Sequence, residues 1–583
     1  METKEYIVIL NKDVDYNQIW NDIESPTSGL PHIPDRPVSI INNHDAFDRM
    51  CAYALTDAEV ELLKQDHRVA GIEIPIEQMP GVEIKRCVVQ NPSIYNPQGN
   101  FNKQAPNSSA GSSINWGLIR NSNSGNVYGT GSNIALNYNY VLDGTGVDVV
   151  ISDSGIQADH PEFTDANGVS RVQQINWATY VPALSTMPSP YEDHDGHGTH
   201  VAGTVAGKTY GWAKNARIYS IIATGPNQPS SLNQFAAIKL WHQSKGSTGR
   251  PTVVNMSWGS RYQWWYLGGL PSTTPDTYTN WQLAMNNFIS TITSVNYQGK
   301  NYAGNTNLTA KGLLLDPNSS DCVYSFRNGT PLYTQQTDVP LSDLIDAGVI
   351  VVHAAGNNSY KIDVSGTATN DYNNIVNTTK GSIAYNRGSS PKSTNSICVG
   401  SLDSVAFSTT LDQKATYSCT GPGVDIYAVG TNVMSSTTND STTDSYKKSA
   451  PYFLNSNFRQ LNDTGTSMAS PQIAGMAALY LQANPPSDNL SPSNCSRVKS
   501  WLTSVATPTM NSSGSATTYT DFRSVLGGNA SVAYQSIQGL SKVKINDTTW
   551  KNVAAVKVKT SDTTWTDVKT VWTKTDTGWR QVY

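Results

Sequence analysis

Four polar residues stand where an apolar run meets a small-residue segment: Asp153, His197, Asn357 and Ser467. Ser467 follows Gly465–Thr466 and opens a stretch, Ser467–Gln482, in which Ile473, Met476, Ala477 and Tyr480 recur at helical spacing. A serine there has unpaired backbone N–H groups and the positive helix end beside its hydroxyl, and both favour an oxyanion formed next to Oγ. Pro471 is expected in the first turn, where a missing N–H costs little. Asn357 follows an apolar run and Ala354–Ala355–Gly356. Its amide can donate to developing negative charge, and the small residues leave room for a bound side chain. His197 lies between Gly196 and Gly198, which let the backbone turn sharply and leave the imidazole uncrowded. Asp153 ends the run VDVVIS and projects at the carboxyl end of a sheet, where ligands bind in open α/β folds. Taken singly, each residue also reads as a cap, a turn or a packed polar group. His200 makes an H-x-x-H with His197, without the i, i+4 spacing and glutamate of a zinc-protease helix, so a structural role is expected for it.

These residues need a frame, and short apolar runs without alternation supply it. Val147–Ser152, Arg217–Ile222, Val253–Ser257, Val349–Ala354 and Ile397–Val399 read as buried strands, with helical stretches at Leu232–Gln243, Ser342–Ala347 and Ser467–Gln482. Such strands separated by helices imply an α/β fold with a doubly wound, mostly parallel sheet. Ahead of it, residues 1–87 read as a small α+β unit. Lys4–Leu10 and Val69–Ile76 are its strands, and Thr56–Gln65 is a helix with Thr56 and Glu59 as a capping box. Residues 88–115, rich in Asn, Ser, Pro and Gly, read as a flexible connector. The main unit spans 116–535, with an insertion at about 260–341 that is polar, aromatic and too long for a bare loop. In 536–583 a repeat appears: Asp547-Thr-Thr-Trp550, Asp562-Thr-Thr-Trp565 and Asp576-Thr-Gly-Trp579, each followed by Val553, Val568 or Val582. Its period suits strand–turn–strand units.

The 583-residue chain has a net charge of −5, which removes the electrostatic footprint of a nucleic-acid binder. Its charged fraction, 15%, is well below the usual share of about 25%. Ser, Thr and Asn stand in, a surface style more common outside cells. No segment approaches the ~20 apolar residues of a transmembrane span, and the five-residue apolar run in METKEYIVIL is too short for a signal peptide. Six scattered cysteines form no C-x-x-C pair. They leave open either disulfides among the four beyond residue 116 or buried free thiols.

Several motifs, in order, resemble the subtilisin-like serine peptidases, in particular the proteinase K branch. They are WGLI at Trp116–Ile119, DSG at Asp153–Gly155, DGHGTHVAGTVAGKTYGWAKNA at Asp195–Ala216, NMSWG at Asn255–Gly259, AAGN at Ala354–Asn357 and GTSMASP at Gly465–Pro471. The resemblance implies a serine endopeptidase acting through an acyl-enzyme. Ser467 would be the nucleophile, His197 would take and return its proton, and Asp153 would hold the imidazole. The oxyanion would sit between the Asn357 amide and the Ser467 N–H. Protein or peptide substrates would bind as an added strand along Ser257, Trp258 and Gly259, with Ala354, Ala355 and Gly356 lining the first pocket. Trp258, larger than the aliphatic residue of many relatives, is expected to narrow an outer pocket. No cofactor is required. The family allows structural calcium, but no acidic run has EF-hand spacing and no ligands are named.

Residues 1–87 resemble an inhibitor-type propeptide, especially at ALTDAEVELLKQDHRVAGIEIP, and would act as an intramolecular chaperone and inhibitor before removal in the connector. The C-terminal repeats look like those of phage structural and cell-surface proteins, which implies attachment to a virion or a surface, and an extracellular or virion-associated protein. Two other readings are a structural or adhesion protein on an inactive peptidase scaffold, and an esterase with the same serine chemistry.

Overall fold

The computed structural model describes residues 3–25, 36–43, 46–87, 115–127, 138, 140, 142–165, 167–263, 277–366, 370–403, 411–510, 525 and 531–534, together with the C-terminal strands. Apart from residue 115, the connector lies outside the described residues, as do Val553, Val568 and Val582.

The N-terminal unit runs β1 (Lys4–Leu10), α1 (Tyr16–Glu24), β2 (Ser39–Asn43), β3 (Met50–Leu55), α2 (Asp57–Leu63), β4 (Val69–Glu73) and β5 (Val82–Arg86). The first four strands form one sheet in the order β2-β3-β1-β4, with β1 antiparallel to β3 and β4. Period-two geometry divides β1 between two cores. Val8 and Leu10 pack with Ile19 and Ile23 of α1 and Val60 and Leu63 of α2. Ile7 and Ile9 belong to the main core of the molecule. The unbroken apolar run of β1 is thus a strand buried on both faces. Thr56 and Glu59 close the expected capping box of α2.

The main unit follows with α3 (Trp116–Arg120), β6 (Asp148–Asp153), α4 (His197–Ala206), β7 (Arg217–Ile222), α5 (Ser231–Ser244), β8 (Thr252–Met256) and β9 (Trp258–Tyr262). Next come α6 (Tyr278–Thr291), β10 (Ile292–Tyr297), β11 (Lys300–Ala303), α7 (Ser320–Arg327), β12 (Thr330–Pro331), α8 (Gln335–Asp346) and β13 (Ile350–Ala354). The chain continues through β14 (Ile375–Thr378), β15 (Gly381–Ala384), β16 (Ile397–Leu402), β17 (Ile426–Val429) and β18 (Val433–Thr437). After α9 (Asp444–Lys448), β19 (Ala450–Tyr452) and β20 (Asn455–Asp463), it ends in α10 (Thr466–Ala483) and α11 (Asn494–Val505).

Six parallel strands, ordered β17-β16-β13-β8-β6-β7, make the central sheet of an α/β fold. Five match the sequence reading within two or three residues at their ends. β17, four residues long, was not anticipated. Helix α10 packs across β8, β13, β16 and β17 and against α4, while α5 packs on α8.

The insertion ends earlier than its sequence suggests, and its sheet is completed by strands from beyond it. Helix α8 begins at Gln335 and belongs to the helix layer, so the irregular segment stops short of 341. Its strands β10 and β11 join β14 and β15, from a later part of the chain, in a second sheet. Between 542 and 581 the described strands pair as three two-stranded antiparallel hairpins (β21 Lys542–Asn546 with β22 Thr549–Asn552, β23 Lys557–Lys559 with β24 Trp565–Asp567, β25 Trp572–Thr575 with β26 Gly578–Gln581). Their registers set Trp550 opposite Lys544, Trp565 opposite Lys559 and Trp579 opposite Lys574. Among the described residues no helix is long and apolar enough to cross a membrane. All six cysteines are buried, and none is joined in a disulfide.

The N-terminal unit docks on α8 by completing its first turn. Thr334 offers that helix no side-chain cap; instead Glu73 of β4 accepts from the N–H groups of Gln335 and Gln336, both at 3.0 Å. A carboxylate there answers both the orphan donors and the helix dipole. Arg49–Asp343 at 2.9 Å and Lys12–Asp346 at 2.6 Å extend the contact.

Asp338 of α8 is buried, accepts from the Lys392 N–H at 2.8 Å and has a second carboxyl oxygen without a partner. Burial pushes this carboxyl up to about 7. The folded chain therefore keeps a proton that the unfolded chain releases above pH ~4. Its contribution to stability is full below that unfolded value and is lost as pH rises through about 7. Asp338→Asn, neutral throughout, should gain in melting temperature on the native chain between pH 4 and 7; parallel melting curves across that range would refute the assignment.

Candidate active site

The site lies at the carboxyl ends of β6 and β13, where α4 and α10 begin. Asp153 is the last residue of β6 and His197 the first of α4, and both side chains are fully buried. Two glycines allow their approach. Gly196 has φ 96°, a left-handed conformation that L side chains rarely adopt. A Cβ on Gly198 would stand 2.0 Å from the Gly155 carbonyl, so the first turn of α4 lies directly on the loop after β6.

Asp193 ties the same two elements together. Its carboxylate accepts from Ser154 Oγ at 3.0 Å, the Gly196 N–H at 2.8 Å, and the Thr199 N–H and Oγ at 2.9 and 2.6 Å. The sequence reading missed this residue. Its signal was an acid just ahead of a helix start, in DHDGH.

The result is a bond of 2.7 Å between His197 Nδ1 and Asp153 Oδ1. An ionised carboxylate only accepts, so the proton sits on Nδ1 and Nε2 carries the lone pair. That Nε2 is buried and has no hydrogen-bond partner. His200 is buried elsewhere, with Nε2 3.0 Å from the carbonyls of Val433 and Leu461, as a structural histidine should be.

Ser467 is the second residue of α10, not its first. Pro471 is accordingly the sixth helical residue, beyond the first turn where it was expected. With no N–H, Pro471 leaves the carbonyl four residues back, that of Ser467, without its helical donor. Ser257 Oγ donates to that carbonyl at 3.0 Å. A hydroxyl has one proton, so the contacts of Ser257 Oγ with Asn255 Nδ2 (2.8 Å) and Ser470 Oγ (2.9 Å) are ones it accepts. The Ser467 hydroxyl donates to the Ser257 carbonyl at 2.8 Å rather than to His197. The structure thus forms the aspartate–histidine contact of the expected set and turns the serine hydroxyl toward β9.

Asn357 is oriented by Thr466, whose N–H and Oγ1 both donate to Asn357 Oδ1, at 2.9 and 2.8 Å. Two donors on one atom identify it as the oxygen, which leaves Nδ2 on the other side, buried and without a partner. Thr466 Oγ1 also accepts from the Gly356 N–H at 3.1 Å, so the segment Ala354–Asn357 is pinned to the start of α10.

Strand β5 lies antiparallel on β9, with Lys85 opposite Gly259 and Arg86 opposite Trp258. One residue further, the Cys87 N–H donates to the Ser257 carbonyl at 2.9 Å, and the Cys87 carbonyl accepts from the Ser467 N–H at 3.0 Å. Arg86 pairs with Asp195, two residues before His197. Consecutive residues of the N-terminal unit therefore touch the starts of both α4 and α10. The expected strand edge at Ser257, Trp258 and Gly259 is occupied by the chain itself. Trp258 does not stand in the cleft: its indole is buried, donates to the Ser152 carbonyl at 3.0 Å and stacks on Phe235. Ala354 and Ala355 are buried beside Gly356. Among the described residues no cluster of three or more His, Cys, Asp or Glu side chains could hold a metal ion.

Because Ser257 Oγ serves the carbonyl that Pro471 leaves free, the two residues are energetically coupled. Ser257→Ala should cost about 1–3 kcal/mol, the price of one unsatisfied buried carbonyl. In a Pro471→Ala background, where the helix supplies its own N–H, the same change should cost less. Denaturant unfolding of the four proteins measures the cycle, and equal costs in both backgrounds would deny the coupling.

Comparison with known proteins matches this frame. The family model described as "Subtilase family" covers residues 144–527. A cuticle-degrading serine protease of Orbilia oligospora is 26% identical over 374 residues, 63% of this chain and 56% of the relative. An extracellular serine proteinase of Thermus sp. (strain Rt41A) is 25% identical over 437 residues, 75% and 67% of the two chains. Among solved structures, fervidolysin from Fervidobacterium pennivorans, a keratinolytic enzyme related to subtilisin, is 16% identical over 90% of this chain and 60% of its own, with a TM-score of 0.48. The chain spans just over half the length of the first curated relatives it matches. With the family model extending over well more than half of its residues, the chain belongs to the subtilase family.

Proposed function

We propose that the chain is a serine endopeptidase that hydrolyses peptide bonds through an acyl-enzyme and is made as a self-processing zymogen. One observation carries this reading: two buried atoms lack a partner, His197 Nε2 at the start of α4 and Asn357 Nδ2 at the start of α10, where the Ser467 N–H holds a peptide carbonyl. Buried polar atoms are normally paired, and leaving them unpaired is costly. A base lone pair and an amide donor kept free beside a serine suit acyl transfer. In this reading Ser467 Oγ turns from the Ser257 carbonyl to His197, attacks the substrate carbonyl, and yields its proton to Nε2. Asp153 holds the imidazole tautomer and stabilises the imidazolium. The oxyanion is received by the Ser467 N–H and the Asn357 amide. Each step is assigned to a side chain or the backbone, so the reaction calls for no cofactor. A structural calcium stays part of the proposal for the family's loops, without ligands.

Residues 1–87 are read as propeptide, both inhibitor and folding aid. Supporting this are β5 in the strand slot and Glu73 on the α8 start. The substrates are protein or peptide chains in extended form. We place the enzyme outside the cell or on a virion, on the strength of its low charge and of the relative named as extracellular. The alternative, an adhesion protein on an inactive scaffold, has the three hairpins at 542–581 in its favour.

Fluorophosphonate labelling decides between them. Processed protein should be labelled at Ser467 and Ser467→Ala should stay full length and unlabelled; absence of label from processed wild type would favour the scaffold. Asn357→Ala should lower kcat by about 10²–10³, the range established for such a donor within this same family, with little change in KM. An unchanged kcat would remove Asn357 from the oxyanion site.

A further inference from the structure

We propose that the bond this chain cuts in itself is the one on the carboxyl side of Cys87, and that the Cys87 side chain marks a first specificity pocket limited by Cys419. The proposal rests on the reading of Ser467 as nucleophile and adds to it the bond and the size of side chain selected.

Main-chain geometry carries the first half. The register of β5 on β9 runs from Val82 opposite Tyr262 to Arg86 opposite Trp258, and Cys87 extends it by one residue. Both main-chain polar groups of Cys87 are engaged in the site: its N–H by the Ser257 carbonyl at 2.9 Å, its carbonyl by the Ser467 N–H at 3.0 Å. The Ser467 hydroxyl donates to that same Ser257 carbonyl at 2.8 Å, so nucleophile and Cys87 share an acceptor and are neighbours. Asn357 Nδ2, the second donor proposed for an oxyanion, is buried and unpartnered. The arrangement is that of a bound peptide whose reacting carbonyl belongs to Cys87.

The bond balance is that of hydrolysis. Ser467 Oγ adds to the Cys87 carbonyl carbon as its proton passes to His197 Nε2. The C–N bond to Val88 then breaks, and that proton goes to the Val88 nitrogen. Water supplies hydroxide to the acyl carbon and, through His197, a proton to Ser467 Oγ. The products are a Cys87 carboxylate, formed as the new acid ionises, and a free amine.

The side chain carries the second half. Cys87 is 8% exposed. Its thiol lies near Thr466 and the Cys419 thiol; burial pushes it up to about 12, so it stays neutral. Cys419 is fully buried, donates its N–H to the Gly356 carbonyl at 2.9 Å, and holds Sγ 3.4 Å from where a Cβ on Gly356 would stand. A sulfur at that point, against the Ala354–Gly356 wall, suits a side chain of one or two heavy atoms such as Cys, Ala or Ser.

The test is intact-mass analysis of the full-length chain early in processing. The expected N-terminal fragment ends at Cys87. A first cut elsewhere in a chain that Ser467→Ala leaves whole would overturn the assigned bond but not the nucleophile, whereas processing of Ser467→Ala would overturn the reading beneath both. Cys87→Ala should be cut within about threefold of the native rate, and Cys87→Phe should slow it ten- to a hundredfold. Adding Cys419→Gly should restore most of the loss in Cys87→Phe. Cys87→Phe cut at the native rate, or no recovery with Cys419→Gly, would overturn the pocket. A cooperative melt recorded for each variant separates lost cutting from lost fold.

Discussion

The N–H of Ser467 in the first turn of α10 has no partner within its helix, and the C=O of the same residue loses its partner to Pro471. Both groups must be satisfied from outside, and the site is built from what satisfies them. The N–H takes the Cys87 carbonyl, and the C=O takes Ser257 Oγ. The Ser257 carbonyl in turn receives the Cys87 N–H and the Ser467 hydroxyl. One helix start therefore joins the strand edge, Ser467 and Cys87 through main-chain groups and two serine hydroxyls. Main-chain contacts of this kind hold the Cys87 segment in one register.

Placement of the histidine follows a different constraint. His197 reaches Asp153 because α4 begins almost in contact with the loop after β6, a distance that only a glycine at 198 permits. Asp193 then locks both segments with a single carboxylate. The parallel sheet contributes the frame: β6 and β13 flank β8 and run in the same direction, so Asp153 and the Ala354–Asn357 segment emerge at the same edge.

The sequence made the central sheet legible because its strands are short apolar runs, and Asp153, His197, Asn357 and Ser467 because they interrupt such runs. It hid what depends on distant pairing. β17 is four residues long and follows a Gly-Pro-Gly turn, too short for periodicity to register. β14 and β15 join the insertion's sheet across some eighty residues of chain. The hydroxyl of Ser257 and the carboxylate of Asp193 look like ordinary turn groups until their partners, at 467 and 154, are known. Cys87 was the least visible of all. Nothing in VEIKRCVV distinguishes its last described residue, and its meaning comes entirely from β9 and α10. Pro471 was misplaced by one turn's reasoning, since the helix start cannot be fixed to a residue from small-residue composition.

Strand β9 is the middle of a three-stranded sheet, between β12 and β5. Strand β5 covers one whole side of β9, whose amides and carbonyls would otherwise face water. Native proteins usually blunt such a margin, because any extended polypeptide can zip onto it, including a half-made sister molecule. By pairing β5 with it, the N-terminal unit keeps that margin from serving as a template for another chain.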